Sequence, residues 1–331
     1  MSGATATQET DLQVQRMYNQ YIFPKRNAYG VQKVHEDITR ILGALGISLE
    51  ELKGKTLLDA GCGTGEVSCF LASCGARVTG IDFSRNSLDY AGRLAQSQGL
   101  NTIEFIEGSL LDYHVPEGQF DYVLSHMVLH HTSDPARAFS NIVRALKPGG
   151  SIIFRVFCFW GTMCPFQKSP LWKRWVVWLL AGPDPDRRVR IGERLFYRPG
   201  HEVQHGVDKA TYLYDLFGVR IVYHHWWGEL LHWLHHNRLA YHSSYPAMEF
   251  SKLVAPYLDR RTPGSTRRGR ILGAVGTSLL RVIPLHRWRV CQRPSWLSRL
   301  LGQTFAFFSG ANMTTIRAIK PPLGPVGRTE G

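Results

Sequence analysis

The chain has 331 residues, 44% hydrophobic and 20% charged, with a formal net charge of +13. That length accommodates one large domain, or one and a half, around a sizeable core. Its most apolar runs, 175–182 and 271–285, are too short to span a membrane, and the second contains Arg281. No basic segment leading into an apolar run opens the sequence, so no secretory signal is expected. The six cysteines (Cys62, Cys69, Cys74, Cys158, Cys164 and Cys291) form no C-x-x-C pair, so a reduced, cytoplasmic protein is expected.

In chain order, residues 1–10 are small and polar, and an aromatic segment with Tyr18, Tyr21 and Phe23 ends at Pro24. Apolar residues at 31, 34, 38, 41, 42 and 45 have a helical period. The short apolar run 56–58 reads as a buried strand that runs into Asp59 and then Gly61, Cys62, Gly63 and Gly65. Glycines at that spacing make a tight turn and let backbone N–H groups approach a ligand. The helix expected at 67–72 points its N-terminus at the same place. A second strand, 77–81, ends at Asp82, where an acid can accept both hydroxyls of a ribose. Ser84 reads as the N-cap of a helix over 84–98, and a third strand covers 103–106. A fourth strand, 120–125, ends at Ser125 and leads into His130 and His131. A helix at 135–146 and a fifth strand at 151–159 follow.

Asp59-Ala-Gly-Cys-Gly-Thr-Gly65, with Gly80-Ile-Asp-Phe-Ser84, resembles the class I S-adenosylmethionine-dependent methyltransferases of small molecules. The later landmarks of that family follow in order at Phe105–Ser109, Phe120–Leu124 and Leu146–Gly150. The resemblance covers about 55–160 and implies an α/β fold: a Rossmann-like, doubly wound sheet of seven mostly parallel strands. It implies S-adenosylmethionine as cofactor. Asp59 would order the loop and lie near the methionine amine, and Gly61, Cys62, Gly63 and Gly65 would give backbone approach. Asp82 and Phe83 would hold the ribose side, and Ser109 and Leu110 would flank adenine. Many relatives carry Asp where Ser109 stands, and Asp112 is a candidate substitute. Ser125 and the loop after it would lie under the methyl group. His130 or His131 could act as base, because imidazole titrates near neutral pH, or both could be structural. The Asp/Asn-Pro-Pro-Tyr/Phe motif of adenine and glutamine N-methylation is missing at this strand end. The aromatic segment before the core looks like the N-terminal lid of several relatives.

Beyond 160 the clean match ends. Trp172, Trp175 and Trp178 fall on or near one helical face, which could be a cap over substrate, an interfacial membrane helix or core. A helix at 207–216, a sixth strand at 219–226 and a seventh at 313–319 would complete the family sheet. The division expected is an N-terminal arm and helix (1–54), a cofactor-binding core (55–160) and a cap with the last helix and strand (161–227). A large aromatic and basic insertion (228–310) and a final strand and tail (311–331) complete it. Residues 251–300 hold Lys252 and ten arginines against Asp259 alone, which suits an anionic membrane surface, RNA or a solvated face. Eight of the fourteen histidines lie between 201 and 242. His201-x-x-x-His205 and His232-x-x-His235-His236 have metal-ligand spacing, but no metal site is expected. The leading function is methyl transfer to a small, lipophilic organic acceptor, with oxygen favoured. RNA methylation and a non-enzymatic cofactor-binding or membrane-docking role are the alternatives, and histidine abundance suits a hydroxyl needing a base.

Overall fold

A computed structural model describes residues 14–16, 18–19, 26–112, 116–158, 171–200, 202–203, 206–219, 222–245 and 313–322. The basic block 251–300, Tyr21, Phe23, His201 and His205 lie outside the described residues.

Helix α1 (Ala28–Ala44) starts at Asn27, whose side chain accepts from the Gly30 amide at 2.9 Å. Its apolar period buries Ile38, Ile41 and Leu42, as the sequence pattern implies. Then β1 (Thr56–Ala60), α2 (Glu66–Ser73), β2 (Arg77–Asp82), α3 (Arg85–Ser97) and β3 (Ile103–Glu107) alternate. Ser84 caps α3 by accepting from the Ser87 amide at 3.3 Å. Next come β4 (Phe120–His126), α4 (Pro135–Arg144) and β5 (Leu146–Phe157). Helix α4 begins with Pro135 behind the Asp134 cap.

The sheet has seven strands in the order β3-β2-β1-β4-β5-β7-β6. The first five run parallel, and β7 (Met313–Ile319) is antiparallel to both β5 and β6 (Ala240–Tyr245). Neighbouring residues on a strand face opposite layers. Leu58, Val123 and Ile152 pack with Phe139, Ile142 and Trp233 on one side. Leu57, Leu124 and Ile153 pack with Ile38, Ile41 and Leu71 on the other. The chain is thus α/β with both faces of the sheet covered.

The second half departs from expectation. The sixth strand is Ala240–Tyr245, not 219–226. Residues near 225 form one isolated bridge, Cys158 to His225, and the outer edge of β7, where a sixth strand pairs, is taken by Ala240–Tyr245. The helix expected at 207–216 is α7 (Lys209–Leu213) followed by a single π turn, Tyr214–Gly218. Helix α8 (Trp227–His236) puts Leu230, Trp233 and Leu234 into the main core, so 228–245 belongs to the sheet layer rather than to an insertion. The connection between the last two strands is therefore 246–312. Helices α5 (Leu171–Ala181) and α6 (Pro185–Phe196) form a hairpin joined to the π turn through Val177, Ala181, Val189, Leu213 and Phe217.

Candidate active site

The strand order reverses between β1 and β4, and the crevice beyond the carboxyl ends of those strands is where doubly wound sheets take ligands. A cavity of about 870 Å³ opens there. The Gly61 and Cys62 amides both donate to the Ile81 carbonyl, at 2.7 and 3.0 Å, which ties the loop to β2. Gly61 has φ +85, and a Cβ on it would stand 2.4 Å from both methyls of Val128. The loop can approach the β4 end this closely only as glycine.

Asp59, Gly61, Cys62, Gly63, Asp82, Phe83, Ser109 and Leu110 all line the cavity, as the resemblance implies. Gly65 and Ser125 do not. Gly65 caps α2 and backs onto Ala91 of α3, where a Cβ would sit 2.6 Å from that alanine's Cβ. Ser125 is buried and donates to the Ala60 carbonyl at 3.2 Å, fastening β4 to β1. Asp112 is exposed and paired with Arg137 at 3.0 Å, outside the cavity, so it does not replace the missing acid beside Ser109. The Ser109 hydroxyl accepts from the Leu111 amide at 3.2 Å.

Two carboxylates dominate the cofactor half. Asp82 accepts from the Gly63 and Ser84 amides, each at 2.9 Å. Burial raises its pKa, opposed by the amides of Ser84, Gly63 and Phe83. Asp59 is buried, accepts from the Ser68 hydroxyl at 2.6 Å and faces the acids Asp82 and Glu66. Burial pushes its carboxyl up to about 7, with the Ser68 hydrogen bond opposing. A buried carboxyl facing acids is suited to an ammonium, and Asp82 at the β2 tip to vicinal hydroxyls. Phe83 and the buried Leu110 supply apolar walls. The residues present therefore fit S-adenosylmethionine.

The two histidines diverge. The turn Leu129–His131 sends His131 to the cavity wall, while His130 is fully buried behind it and is not part of that wall. His130 packs against Phe157 at 4.6 Å between ring centroids. Burial holds its pKa well below the usual value, with His131, His225, His224 and Arg174 adding to the shift.

Several lining groups carry no sequence motif. Tyr18 covers the loop, with its ring 5.6 Å from Phe83 and 6.5 Å from His131. It is the described part of the aromatic N-terminal arm, held by a 3.2 Å hydrogen bond from Ser84 to its carbonyl. Burial raises its phenol pKa, and Asp215 and Asp82 add to that. Asp215 reaches the same cavity from the π turn, an element often found at functional sites. Burial raises its pKa, and Arg174 and Arg26 oppose. Arg26 also pairs with Glu66 at 3.6 Å. Met127 lines the wall with φ +66, a strained conformation for a side chain of its size. At the far end, Arg155 pairs with Asp37 and lies 3.3 Å from His126 Nε2. Burial, with help from Arg155, holds His126 down to about 3. Among the described residues, no group of three or more His, Cys, Asp or Glu converges as a metal site.

Residues 58–154 match a family described as "Methyltransferase domain". The chain is 39% identical over 106 residues to a ubiquinone biosynthesis O-methyltransferase of Coxiella burnetii, across 31% of this chain and 44% of that one. It is 34% identical over 103 residues to a demethylmenaquinone methyltransferase of Oceanobacillus iheyensis, across 30% and 43%. The chain thus spans less than half the length of the curated relatives it matches. The PKMT2 structure from Rickettsia typhi, in complex with AdoHcy, superposes with a TM-score of 0.53 at 15% identity, across 88% of this chain and 53% of that one. That likeness is one of fold. Residues 58–154 are therefore a methyltransferase domain, and the residues lining its cavity fit S-adenosylmethionine.

Proposed function

We propose that this methyltransferase-domain protein transfers a methyl group to a small, lipophilic organic acceptor, on oxygen, from the cytoplasmic side. The observation that carries this reading is one continuous cavity. It runs from Asp59, Gly63 and Asp82 past Val128 and His131 to Tyr18 and Asp215. Its volume of about 870 Å³ is that of a small-molecule site. The names of the matched relatives, from ubiquinone biosynthesis and for demethylmenaquinone, support a lipophilic acceptor, and the first supports oxygen.

The bound cofactor supplies a sulfonium methyl whose leaving group is already activated. The chain's own residues then have to hold, align and desolvate the two partners. Asp82 accepts from the ribose hydroxyls, and Asp59 meets the amine. Ser109 and Leu110 would flank adenine, with Phe83 on the ribose side. Tyr18 closes the cavity over Phe83 and His131, which excludes water from the reacting atoms. His131 takes the hydroxyl proton of the acceptor. Asp215, which lines the same cavity, orients the acceptor.

The test is incubation of the purified protein with methyl-labelled S-adenosylmethionine and an extract of the source cell, followed by phase separation. Label in the organic phase is the expected result. Label in nuclease-sensitive macromolecules would overturn it and make 251–300 an RNA-binding surface. Cofactor binding with no transfer to any fraction would overturn it in favour of a non-enzymatic role.

A further inference from the structure

Helix α5 turns a face of large apolar side chains to the solvent. Trp172, Trp178 and Leu180 are half exposed or more, Trp175 is 62% exposed and Leu179 75%. At 100° per residue these side chains cover the side of the helix opposite Val177 and Ala181, which are buried against the rest of the hairpin. The patch continues onto α6: Trp172 meets Phe196 edge-on at 5.5 Å, and the neighbouring Leu195 is exposed. One basic group borders it. Lys173 Nζ lies 5.9 Å from the Trp172 ring and 5.7 Å from Phe196. Arg187, Arg190 and Arg194 are exposed on α6, and Arg198 just after it.

We propose that the α5–α6 hairpin docks the protein on an anionic lipid bilayer, with the α5 tryptophans and leucines in the headgroup–acyl boundary and the α6 arginines on the phosphates. Helix α5 has 11 residues, about 16 Å of helix, so it lies in the surface and does not cross it. Indole rings beside arginines are the pairing that bilayer interfaces favour, since each ring has an apolar body and a polar N–H. The charge matches a surface rich in acidic lipid. Among the described residues no helix is long and apolar enough to span a membrane, which is the complement of surface docking. The inner side of α5 carries Arg174, whose charge acts on Asp215 at the cavity wall. Delivery of a membrane-dissolved acceptor to that cavity rests on the function proposed above; docking itself does not.

The test uses the full chain with vesicles of equal parts phosphatidylglycerol and phosphatidylcholine, and with phosphatidylcholine alone. Sedimentation with the anionic vesicles and a blue shift of tryptophan emission are expected, and salt should weaken both. The variant Trp175→Glu/Leu179→Glu removes two exposed side chains and should keep cofactor affinity while membrane partition falls about tenfold or more. Arg190→Glu/Arg194→Glu should lower binding to anionic vesicles only. Three results would overturn the proposal. Wild type could stay in the supernatant. Both variants could bind vesicles like wild type, which would assign any membrane contact to 251–300. Trp175→Glu/Leu179→Glu could instead change the sedimentation velocity of the lipid-free protein, which would make the face a contact between copies. Loss of cofactor binding, by contrast, would tell against the function and leave the vesicle result standing.

Discussion

Gly61→Ala tests how the glycine loop meets the end of β4. The new Cβ would lie 2.4 Å from Val128 Cγ1, 2.4 Å from Cγ2 and 2.9 Å from Cβ, at a residue with φ +85. Two separable costs follow. The left-handed backbone costs an alanine about 1–2 kcal/mol. Forcing Val128 aside costs about 1–3 kcal/mol more. A total of about 2–5 kcal/mol should appear in urea unfolding of the cofactor-free protein. Val128→Ala removes the two methyls at 2.4 Å but leaves the Cβ contact at 2.9 Å and the backbone term, so the double variant should recover most of the steric part and none of the backbone part. The cycle of wild type, the two single variants and the double variant should give a coupling of about 1–3 kcal/mol. Costs that simply add, to within about 0.5 kcal/mol, would refute the close approach. Because Gly61 and Val128 both line the cavity, Gly61→Ala should also weaken S-adenosylmethionine binding, read by calorimetry.

Asp82→Asn replaces an oxygen that accepts an amide with an NH₂ group facing it, and it weakens ribose recognition. Cofactor affinity should fall about 30- to 1,000-fold, at about 2–4 kcal/mol for a charged hydrogen-bonding group. Asp59 makes a pH prediction. Its folded pKa, about 7, lies above the ordinary carboxylate value, so the folded state holds a proton that the unfolded chain has lost. Its contribution to stability is full at pH values below 4 and falls as pH rises through 7. Asp59→Asn should flatten the fall of the melting temperature between pH 4.5 and 7.5. In the same window, cofactor affinity of the wild type should rise, because an amine binds the ionised carboxylate. His131→Ala should lower kcat at least about a hundredfold with cofactor affinity kept, as expected for a lost base. His130→Leu should keep turnover and stability, since neither ring nitrogen of His130 has a hydrogen-bond partner among the described residues.

The sequence alone determined the βαβ unit and its ligand chemistry. Asp59, Gly61, Gly63 and Asp82 lie within 24 residues and line one cavity, a placement set by strand ends and turn geometry that short stretches encode, whereas Gly65, expected beside them, packs on Ala91. The Ser84 cap is local in the same way. Packing between distant segments decided the rest. His130 and His131 are adjacent and of one residue type, and only the turn after β4 sends the second to the cavity and the first into the core. Tyr18 and Asp215 are almost 200 residues apart and share a cavity because the N-terminal arm and the π turn both fold over the sheet end. The apolar run 219–226 has a strand's composition, yet the ladder position beside β7 went to Ala240–Tyr245. Pairing partners are chosen by long-range burial and register, and a strand-like pattern carries no record of which edge is vacant. The tryptophan spacing placed Trp172, Trp175 and Trp178 on one helical side. Whether that side faced core or solvent depended on where Val177 and Ala181 found their neighbours, and that contact exists only in the folded chain.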